Sequence, residues 1–230
     1  MKIKENETLD SFLNGRLRII QPRHGYRFSV DALLLAEFVS IKIEDLVVDL
    51  GAGCGIISLF LAIKREVGFI FGLELQEELA SQAKRNILLN ELEKKIAIIQ
   101  GDLRHLPITP GFANVVVCNP PYRKEKSGRI NPASNKAIAR HEIEVSLDDI
   151  LDAGKALLKP GGRLNLIYPA NRLTEVFAKM RIHKLEPKRL QIIFPDSNSH
   201  AKLAIIEGRL HGKSGLKILP PIFGQGHFSI

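Results

Sequence analysis

From Leu46 onwards, short apolar runs alternate with segments of helical periodicity. The apolar runs open the segments LVVDLGAG, VGFIFGLEL, KIAIIQGD, ANVVVCNPPY and GRLNLIYP, and the helical patterns cover residues 55–64, 76–90 and 147–159. Strands that are apolar on both faces, each followed by a helix, are typical of a parallel sheet covered by helices on both sides. The expected fold class is therefore α/β with a doubly wound sheet, and ligands of such sheets bind at the carboxyl ends of the strands.

The last third of the chain predicts a departure from parallel pairing. KPGG at 159–162 indicates a helix stop followed by a turn, and a further helix is expected over Asn171 to His183. After it, Arg189 to Phe194 and Ala201 to Leu210 form two β runs joined by a polar link, which indicates an antiparallel hairpin. A Rossmann-like, seven-stranded, mostly parallel sheet that ends in such a hairpin is the layout of class I methyltransferases.

The first 45 residues form an N-terminal extension in this interpretation. GRLRIIQ predicts a strand and SVDALLLAEFV an amphipathic helix, both packing on a core domain that covers residues 46–230. A chain of 230 residues suits one domain with such an addition.

Charge and composition narrow the class of partner. Hydrophobic residues make up 45% and charged residues 25% of the chain, as in ordinary globular proteins, and the net charge is +8. A basic surface attracts polyanions, and nucleic acid is the expected partner. The start of the chain lacks the apolar core of a signal peptide and the apolar runs are too short to span a bilayer, so we expect a cytoplasmic protein without a membrane partner. Cys54 and Cys118 have no metal-ligand spacing, and no metal is expected.

The glycine-rich segment DLGAGCG indicates a ligand site. Gly51, Gly53 and Gly55 follow a predicted strand and precede a helix, where glycine permits a tight turn and close approach of backbone to ligand. A dinucleotide fingerprint would require a third glycine at position 56, which is Ile56, and no triphosphate-binding loop follows. A nucleoside ligand without a pyrophosphate fits better, and S-adenosyl-L-methionine is the ligand that we expect.

Acidic residues in three successive strands support this interpretation. Asp49 lies beside the glycine loop, Glu74 closes the second strand and Asp102 follows the third. A carboxylate in the position of Glu74 can accept hydrogen bonds from ribose hydroxyls. Asp102 is placed to accept from the exocyclic amine of the cofactor's adenine.

Asn119-Pro120-Pro121-Tyr122 ends the fourth strand and is the candidate catalytic turn. The side-chain carbonyl of Asn119 and the backbone carbonyl of Pro120 can each accept an N–H of a planar amine, and so favour the transition state in which that nitrogen becomes positive. The prolines hold this geometry, and the ring of Tyr122 offers a surface for a base taken out of its stack. Because the methyl group of a sulfonium is already activated, positioning alone supplies most of the rate.

Together these motifs resemble those of known enzymes. DLGAGCG, LEL, GDL and NPPY, in this order, are similar to the motifs of amino-methyltransferases that act on nucleobase or glutamine nitrogens. The flanking segments DSFLNGRLRIIQPRHGYRFSVDALLLAEFV, ARHEIEVSLDDILDAGKALLKPGGRL and FPDSNSHAKLAIIEG resemble the bacterial tRNA1(Val) adenine-N6 methyltransferase family.

That resemblance implies S-adenosyl-L-methionine as methyl donor and the adenine next to the anticodon as target. It places the donor on Asp49, Gly51, Gly53, Gly55, Glu74, Asp102 and Asn119 and the catalysis on Asn119, Pro120, Pro121 and Tyr122. It also implies that Tyr26 to Asp31 folds over the donor, and a helix start with Ser29 as its cap is the alternative interpretation of that segment.

The segment after the catalytic turn is the predicted RNA contact. Between Arg123 and Arg140 there are six cations and one acid, Glu125, which gives a local charge of +5. The cations are Arg123, Lys124, Lys126, Arg129, Lys136 and Arg140, of which the first four are the predicted RNA-binding residues. Cations there bind phosphates without reading sequence. A second basic group comprises Arg16, Arg18, Arg23 and Arg27.

Three other functions stay open on the sequence. A guanine-N2 methyltransferase of ribosomal RNA would use nearly the same chemistry. A protein glutamine-N5 methyltransferase would also suit the turn, although such enzymes usually carry a larger helical domain before the glycine loop. A non-catalytic RNA-binding protein could keep the same fold.

Overall fold

A computed structural model of the chain describes residues 3–24, 27–120 and 145–224. The helices and strands are, in chain order, β1 (Glu7–Phe12), β2 (Leu17–Pro22), α1 (Val30–Phe38), β3 (Leu46–Leu50), α2 (Ile56–Lys64), β4 (Phe69–Glu74), α3 (Glu77–Leu89), β5 (Ile96–Gln100), β6 (Ala113–Cys118), α4 (Leu147–Leu157), β7 (Leu158–Pro169), α5 (Leu173–Ile182), β8 (Leu185–Phe194), β9 (Leu203–Leu210), β10 (Lys217–Ile218) and β11 (Ile222–Phe223). Short 3₁₀ turns cover Leu103–His105 and Ala170–Arg172.

The main sheet has the order β5-β4-β3-β6-β7-β9-β8, with β10 and β11 beside β8. Strands β3 to β7 pair in parallel, and β9 is antiparallel to both β7 and β8. The expected doubly wound sheet with a closing hairpin is confirmed. The predicted count of seven strands is too low, because the described part of the chain forms a sheet of nine. The two extra strands are only two residues long each, too short to give a periodic pattern in the sequence.

Helices cover both faces of this sheet. One buried cluster joins α1, α2 and α3 to side chains such as Val47 and Val115, and the other joins α4 and α5 to alternate residues such as Val48 and Val116. Because successive residues of a strand point to opposite faces, a strand buried on both faces is a continuous apolar run. Strand β4 lies on one side of β3 and strand β6 lies on the other. This reversal of the strand order opens a crevice at the carboxyl ends of these strands.

The N-terminal extension forms its own antiparallel hairpin, in which β1 pairs with β2. Its turn places Leu13, Asn14 and Gly15 at positive φ. The sequence predicts β2 but not β1, whose segment ETLDSF is rich in acidic and hydroxyl side chains that mask its alternation. The proposed division of the chain at residue 45 stays a prediction.

The amphipathic character predicted for α1 is wrong. Six of its nine residues are buried, and they include the consecutive run from Ala32 to Ala36. The helix lies in the larger cluster together with α2, and Phe12 of the hairpin and Phe28 also pack against that cluster. A helix that is buried over most of its surface does not need an apolar stripe opposite a polar face.

The predicted turn at KPGG is also wrong. Helix α4 ends at Leu157 and β7 begins at once with Leu158, so that the four residues lie inside the strand. The pairing of β7 with β6 is irregular between Ala113 and Val115, and Gly161 has a φ of +78°. A bulge accommodates Pro160 and the left-handed Gly161, so that the strand continues through both residues.

Two other boundaries differ by a few residues. The helix expected from Asn171 is preceded by a 3₁₀ turn and begins at Leu173, and β8 begins at Leu185 rather than at Arg189. Within the described ranges, no helix is both long enough and apolar enough to cross a bilayer.

Candidate active site

The register between β3 and β6 brings two predicted motifs together. Leu50, the last residue of β3, is paired with Cys118, the last residue of β6, and the two strands are parallel. Gly51 and Asn119 therefore leave neighbouring strands at the same edge of the sheet. Asn119 is partly buried and Pro120 is buried. The glycine loop and the start of the catalytic turn thus border one crevice.

The glycine loop is held in a left-handed path. Gly51, Gly53 and Gly55 have φ values of 73°, 57° and 86°, which residues with a Cβ adopt at a cost. The amides of Gly51 and Ala52 both donate to the carbonyl of Leu73, at 2.9 and 3.0 Å. A Cβ on Gly51 would meet no atom within 4 Å, so this part of the loop faces open space.

Gly55 has a different role. A Cβ there would lie 3.3 Å from the Cβ of Ala83 in α3, so the absence of a side chain allows the start of α2 to pack closely against α3. Gly51 therefore borders open space, whereas Gly55 permits a contact between two helices.

Glu74 stabilises the loop directly. One carboxylate oxygen accepts from the amide of Gly53 and the other from the amide of Gln76, both at 2.8 Å, and the side chain is buried. Each carboxylate oxygen has more than one acceptor position, so the group retains capacity for ribose hydroxyls. Glu74, the residue predicted to bind the ribose of the donor, is therefore in contact with the glycine loop.

Asp49 is fully buried beneath the loop. Its Oδ2 accepts from the hydroxyl of Ser58 at 2.7 Å, and within the described residues its Oδ1 has no hydrogen-bond partner. Burial raises the pKa of Asp49 to about 6, the hydrogen bond from Ser58 opposes the shift, and the charge of Glu74 adds to it. The unpartnered oxygen next to a glycine loop fits a site that receives a cationic or hydrogen-bonding ligand.

Asp102 lies at the end of β5 in the expected row. The amide of Gly101 donates to the carbonyl of Glu74 at 3.0 Å, so the ends of β4 and β5 are adjacent. The side chain of Asp102, however, is held by Arg104, whose Nε and Nη2 reach the two carboxylate oxygens at 3.0 and 2.6 Å. The hydrogen bonds from Arg104 hold the pKa of Asp102 below its ordinary value. A ligand amine at Asp102 therefore competes with this guanidinium.

Several predicted site residues lie outside the described ranges. These are Tyr26, Pro121, Tyr122, Arg123, Lys124, Lys126 and Arg129, together with the other cations up to Arg140. Their assignments stay predictions.

The second basic group is engaged within the protein. Arg16 and Arg18 donate to the carbonyls of Ile63 and Leu89, and Arg23 donates to that of Glu5. Arg27 pairs with Asp10 at 2.5 Å. These contacts tie the hairpin together and to the core, and we assign no RNA contact to them.

Asn86, for which the sequence patterns predicted no role, joins the hairpin to the glycine loop. This fully buried side chain in α3 accepts from the amide of Ile20 at 2.7 Å and donates to the carbonyl of Cys54 at 2.9 Å. It thereby links β2 to the donor side of the crevice. The available signal is a pair of amides, Gln82 and Asn86, four residues apart on a helix face that also carries Ala83 and Ile87.

The described part of the chain shows no cluster of metal ligands. No group of three or more histidine, cysteine or acidic side chains there is arranged to hold a metal ion. Cys54 and Cys118 are free and buried, and burial raises the pKa of both thiols, that of Cys54 to about 12.

A sheet of this order, with a glycine loop after β3 and carboxylates at the ends of the next two strands, is the architecture of the class I methyltransferases. The methyl donor of that class is S-adenosyl-L-methionine. Residues 28–186 match the model of the methyltransferase small domain, and the chain belongs to this family.

Individual relatives agree with this membership. The chain is 26% identical over 163 residues to the tRNA1(Val) (adenine(37)-N6)-methyltransferase of Dyadobacter fermentans, covering 71% of this chain and 66% of that protein. The enzyme of the same name from Aliivibrio fischeri is 26% identical over 211 residues, 84% of this chain and 89% of the relative. Among solved structures, TYW2 of P. horikoshii in complex with MeSAdo superposes with a TM-score of 0.65 at 18% identity, covering 91% of this chain and 73% of that one.

Proposed function

We propose that this protein transfers a methyl group from S-adenosyl-L-methionine to the exocyclic N6 of an adenine in tRNA, the base next to the anticodon. The observation that carries the proposal is the pairing of Leu50 with Cys118, which sets the glycine loop and Asn119 at adjacent strand ends. Two relatives bear the name tRNA1(Val) (adenine(37)-N6)-methyltransferase and support this choice of substrate.

The donor would lie over the carboxyl ends of β3, β4 and β5. Open space at Gly51, the buried carboxylate of Glu74 and the unpartnered oxygen of Asp49 are consistent with a nucleoside whose amino-acid end follows the loop. When bound, S-adenosyl-L-methionine supplies an electrophilic methyl group. The chain's part is to hold that group over the end of β6.

Asn119 and Pro120 position the accepting nitrogen. An adenine amine has its lone pair delocalised into the ring and is a poor nucleophile. Carbonyl oxygens of Asn119 and Pro120 that accept its two N–H groups orient the lone pair and stabilise the positive charge that develops on nitrogen. The proton leaves after the methyl transfer, and a strong general base is not required.

RNA as the partner is favoured by charge. The net charge of the chain is +8, and a segment of local charge +5 follows directly after the catalytic turn. Such a segment contacts phosphates, positions the substrate and makes the affinity depend on salt. Replacing Arg123, Lys124 and Lys126 together is expected to flatten that salt dependence.

The test is incubation of the purified full chain with labelled S-adenosyl-L-methionine and, separately, tRNA, ribosomal RNA or total protein, followed by mass spectrometry of the digested products. N6-methyladenosine in tRNA is the expected product. A tRNA1(Val) transcript in which the adenine at position 37 is replaced by guanine serves as the matched control and should accept no methyl group. Formation of N2-methylguanosine or of methylglutamine instead would contradict the proposal.

A further inference from the structure

An exposed aromatic ring lies at the far end of the catalytic edge of the sheet. Phe223 is 53% exposed although it belongs to a strand. It is paired with Phe194, the last residue of β8, and the two ring centroids are 5.5 Å apart with the planes inclined at 30°. Phe194 therefore supports one side of the ring while much of it faces solvent. Because aromatic rings stack on other flat rings, the exposed face of Phe223 can receive a planar partner group.

The direction of the strands puts this ring on the same edge as Asn119. Strand β8 is antiparallel to β9, which is antiparallel to β7, so β8 ends where β6 and β7 end. Going outwards from β6, the sheet order is β7, β9, β8 and then β11. Four strand spacings amount to about 19 Å, a distance that a few nucleotides of an RNA loop can span.

Lys202 lies between the two positions. Its carbonyl accepts from Ala170 at the end of β7 and its amide donates to Ile193 in β8, at 3.0 and 2.9 Å. The residue is exposed, and in the described part of the chain its ammonium has no hydrogen-bond or salt-bridge partner. Arg172, which follows β7 at the same edge, is instead held by Glu175 at 2.8 Å. Lys202 is the cation that is available to a ligand at this point.

The loop that carries Lys202 contains one carboxylate, and that carboxylate is hydrogen-bonded within the loop. Asp196 accepts from the amide of Asn198 at 2.8 Å and from the hydroxyl of Ser199 at 2.6 Å, so its oxygens are directed into the loop. His200, next to Ala201 and Lys202, is exposed. The outer part of the edge thus presents a cation and a flat ring on the two sides of the end of β8.

From these contacts we infer that Lys202 and Phe223 form a second RNA-binding subsite, in which Lys202 contacts a phosphate and the ring of Phe223 stacks on an unpaired base that flanks the methylated nucleotide. The inference rests on the proposed function for the class of ligand. Stacking on an aromatic ring does not read sequence and needs only a base with an exposed face, whereas a lysine contributes through charge. The subsite would hold the substrate loop across the sheet edge while another nucleotide enters the crevice.

The experiment measures the affinity of the full chain for a tRNA1(Val) transcript at several salt concentrations, without turnover. Phe223→Leu removes the ring but keeps an apolar side chain, and should weaken binding about tenfold with an unchanged salt slope. Phe223→Tyr restores a ring and should restore the affinity. Lys202→Gln should lower the salt slope by about 0.7 to 0.9, the effect of one phosphate contact.

Matched controls come from the neighbouring strand β10. Lys217 and Ile218 are exposed and pair with Arg189 and Leu190 in the middle of β8, away from the end of β8 at Phe194. Lys217→Gln and Ile218→Ala should leave RNA affinity and salt slope as in the parent chain. Thermal unfolding checks that all five variants are folded.

Three outcomes would overturn the subsite: Phe223→Leu binding RNA as tightly as the parent, Ile218→Ala weakening binding equally, or Phe223→Leu separating a dimer into monomers while RNA affinity stays the same. Failure of the proposed reaction looks different. In that case the transcript binds and responds to Phe223→Leu, but no N6-methyladenosine forms.

Discussion

Leu50 and Cys118 are register partners in neighbouring parallel strands, and each is followed at once by a residue of the candidate site, Gly51 and Asn119. This relationship gives the glycine loop and the catalytic turn a common edge. In the proposed function one motif borders the donor and the other the methyl acceptor, so that their roles are separable by experiment.

Asn119→Ala should separate donor binding from turnover. The variant loses a carbonyl that orients the amine, and removal of one such hydrogen bond from a transition state typically lowers the rate about 10²- to 10³-fold. Donor affinity measured by calorimetry should stay within a few-fold of the parent, since the donor is held mainly from β3 to β5.

Asn114→Ala is the matched control for that variant. Asn114 lies near the start of the same strand, at the opposite edge, and its side chain accepts from the amide of Leu46 at 3.0 Å. Loss of this hydrogen bond should lower stability by about 1 kcal/mol and leave the rate constant of methyl transfer unchanged. Equal rate constants for Asn119→Ala and the parent would remove Asn119 from the catalytic turn.

Gly51→Ala should weaken donor binding out of proportion to its effect on stability. A Cβ at this position fits the protein without a clash but occupies the open space that borders the loop. We expect at least a tenfold loss of affinity for S-adenosyl-L-methionine by calorimetry. The left-handed φ of 73° adds a backbone strain of about 1 kcal/mol.

Gly111→Ala provides a control for that strain alone. Gly111 has a φ of 72°, and a Cβ there would likewise meet no atom within 4 Å, but the residue lies away from the crevice. Both variants should show a similar fall in Tm. If both bind the donor as well as the parent does, the space beside Gly51 is not the donor site.

Arg104→Ala tests the role of Asp102. The Arg104 side chain donates to both carboxylate oxygens of Asp102, and the backbone amide of residue 104 also donates to Oδ1. Removal of the side chain should therefore free Oδ2 and tighten donor binding a few-fold, whereas Asp102→Asn should weaken it. Arg181→Ala, which breaks the exposed pair with Glu186, serves as a control without effect on donor affinity. Weaker binding in Arg104→Ala would mean that the guanidinium itself contacts the donor.

Asp49→Asn should change the pH dependence of stability. In the folded chain the pKa of Asp49 is about 6, above the ordinary value of 3.8, so the folded state retains a proton that the unfolded state has lost between these values. The contribution of Asp49 to the free energy of unfolding is therefore largest below pH 3.8 and declines as the pH rises through about 6. The parent should lose stability relative to Asp49→Asn over this range.

Urea unfolding at closely spaced pH values measures the effect, and Asp196→Asn gives a control of opposite sign. Hydrogen bonds from Ser199 and Asn198 lower the pKa of Asp196, so its contribution is present above the ordinary carboxyl pKa and is lost as the pH falls. A constant difference between the parent and Asp49→Asn from about pH 4 to 7 would show that Asp49 does not titrate in this range.

The sequence was sufficient to predict those elements of structure that depend on neighbouring residues. Runs that are apolar on both faces predict β3 to β6, and the helices over residues 56–64 and 77–89 agree with their predictions to within a residue at each end. The three glycines of the loop all adopt the left-handed backbone that their residue type favours. These features depend on side-chain periodicity and on backbone sterics, which neighbouring residues determine.

Contacts between distant segments were decided only by the tertiary structure. The link from Asn86 to Cys54, the enclosure of α1 and the place of Phe223 on the edge that begins at Asn119 all depend on which surfaces meet after folding. A sequence pattern records the preference of a residue for burial or exposure, but it does not record the neighbour that satisfies it. Strand order and register supply that neighbour, because they convert positions far apart in the chain into adjacent ends of one sheet.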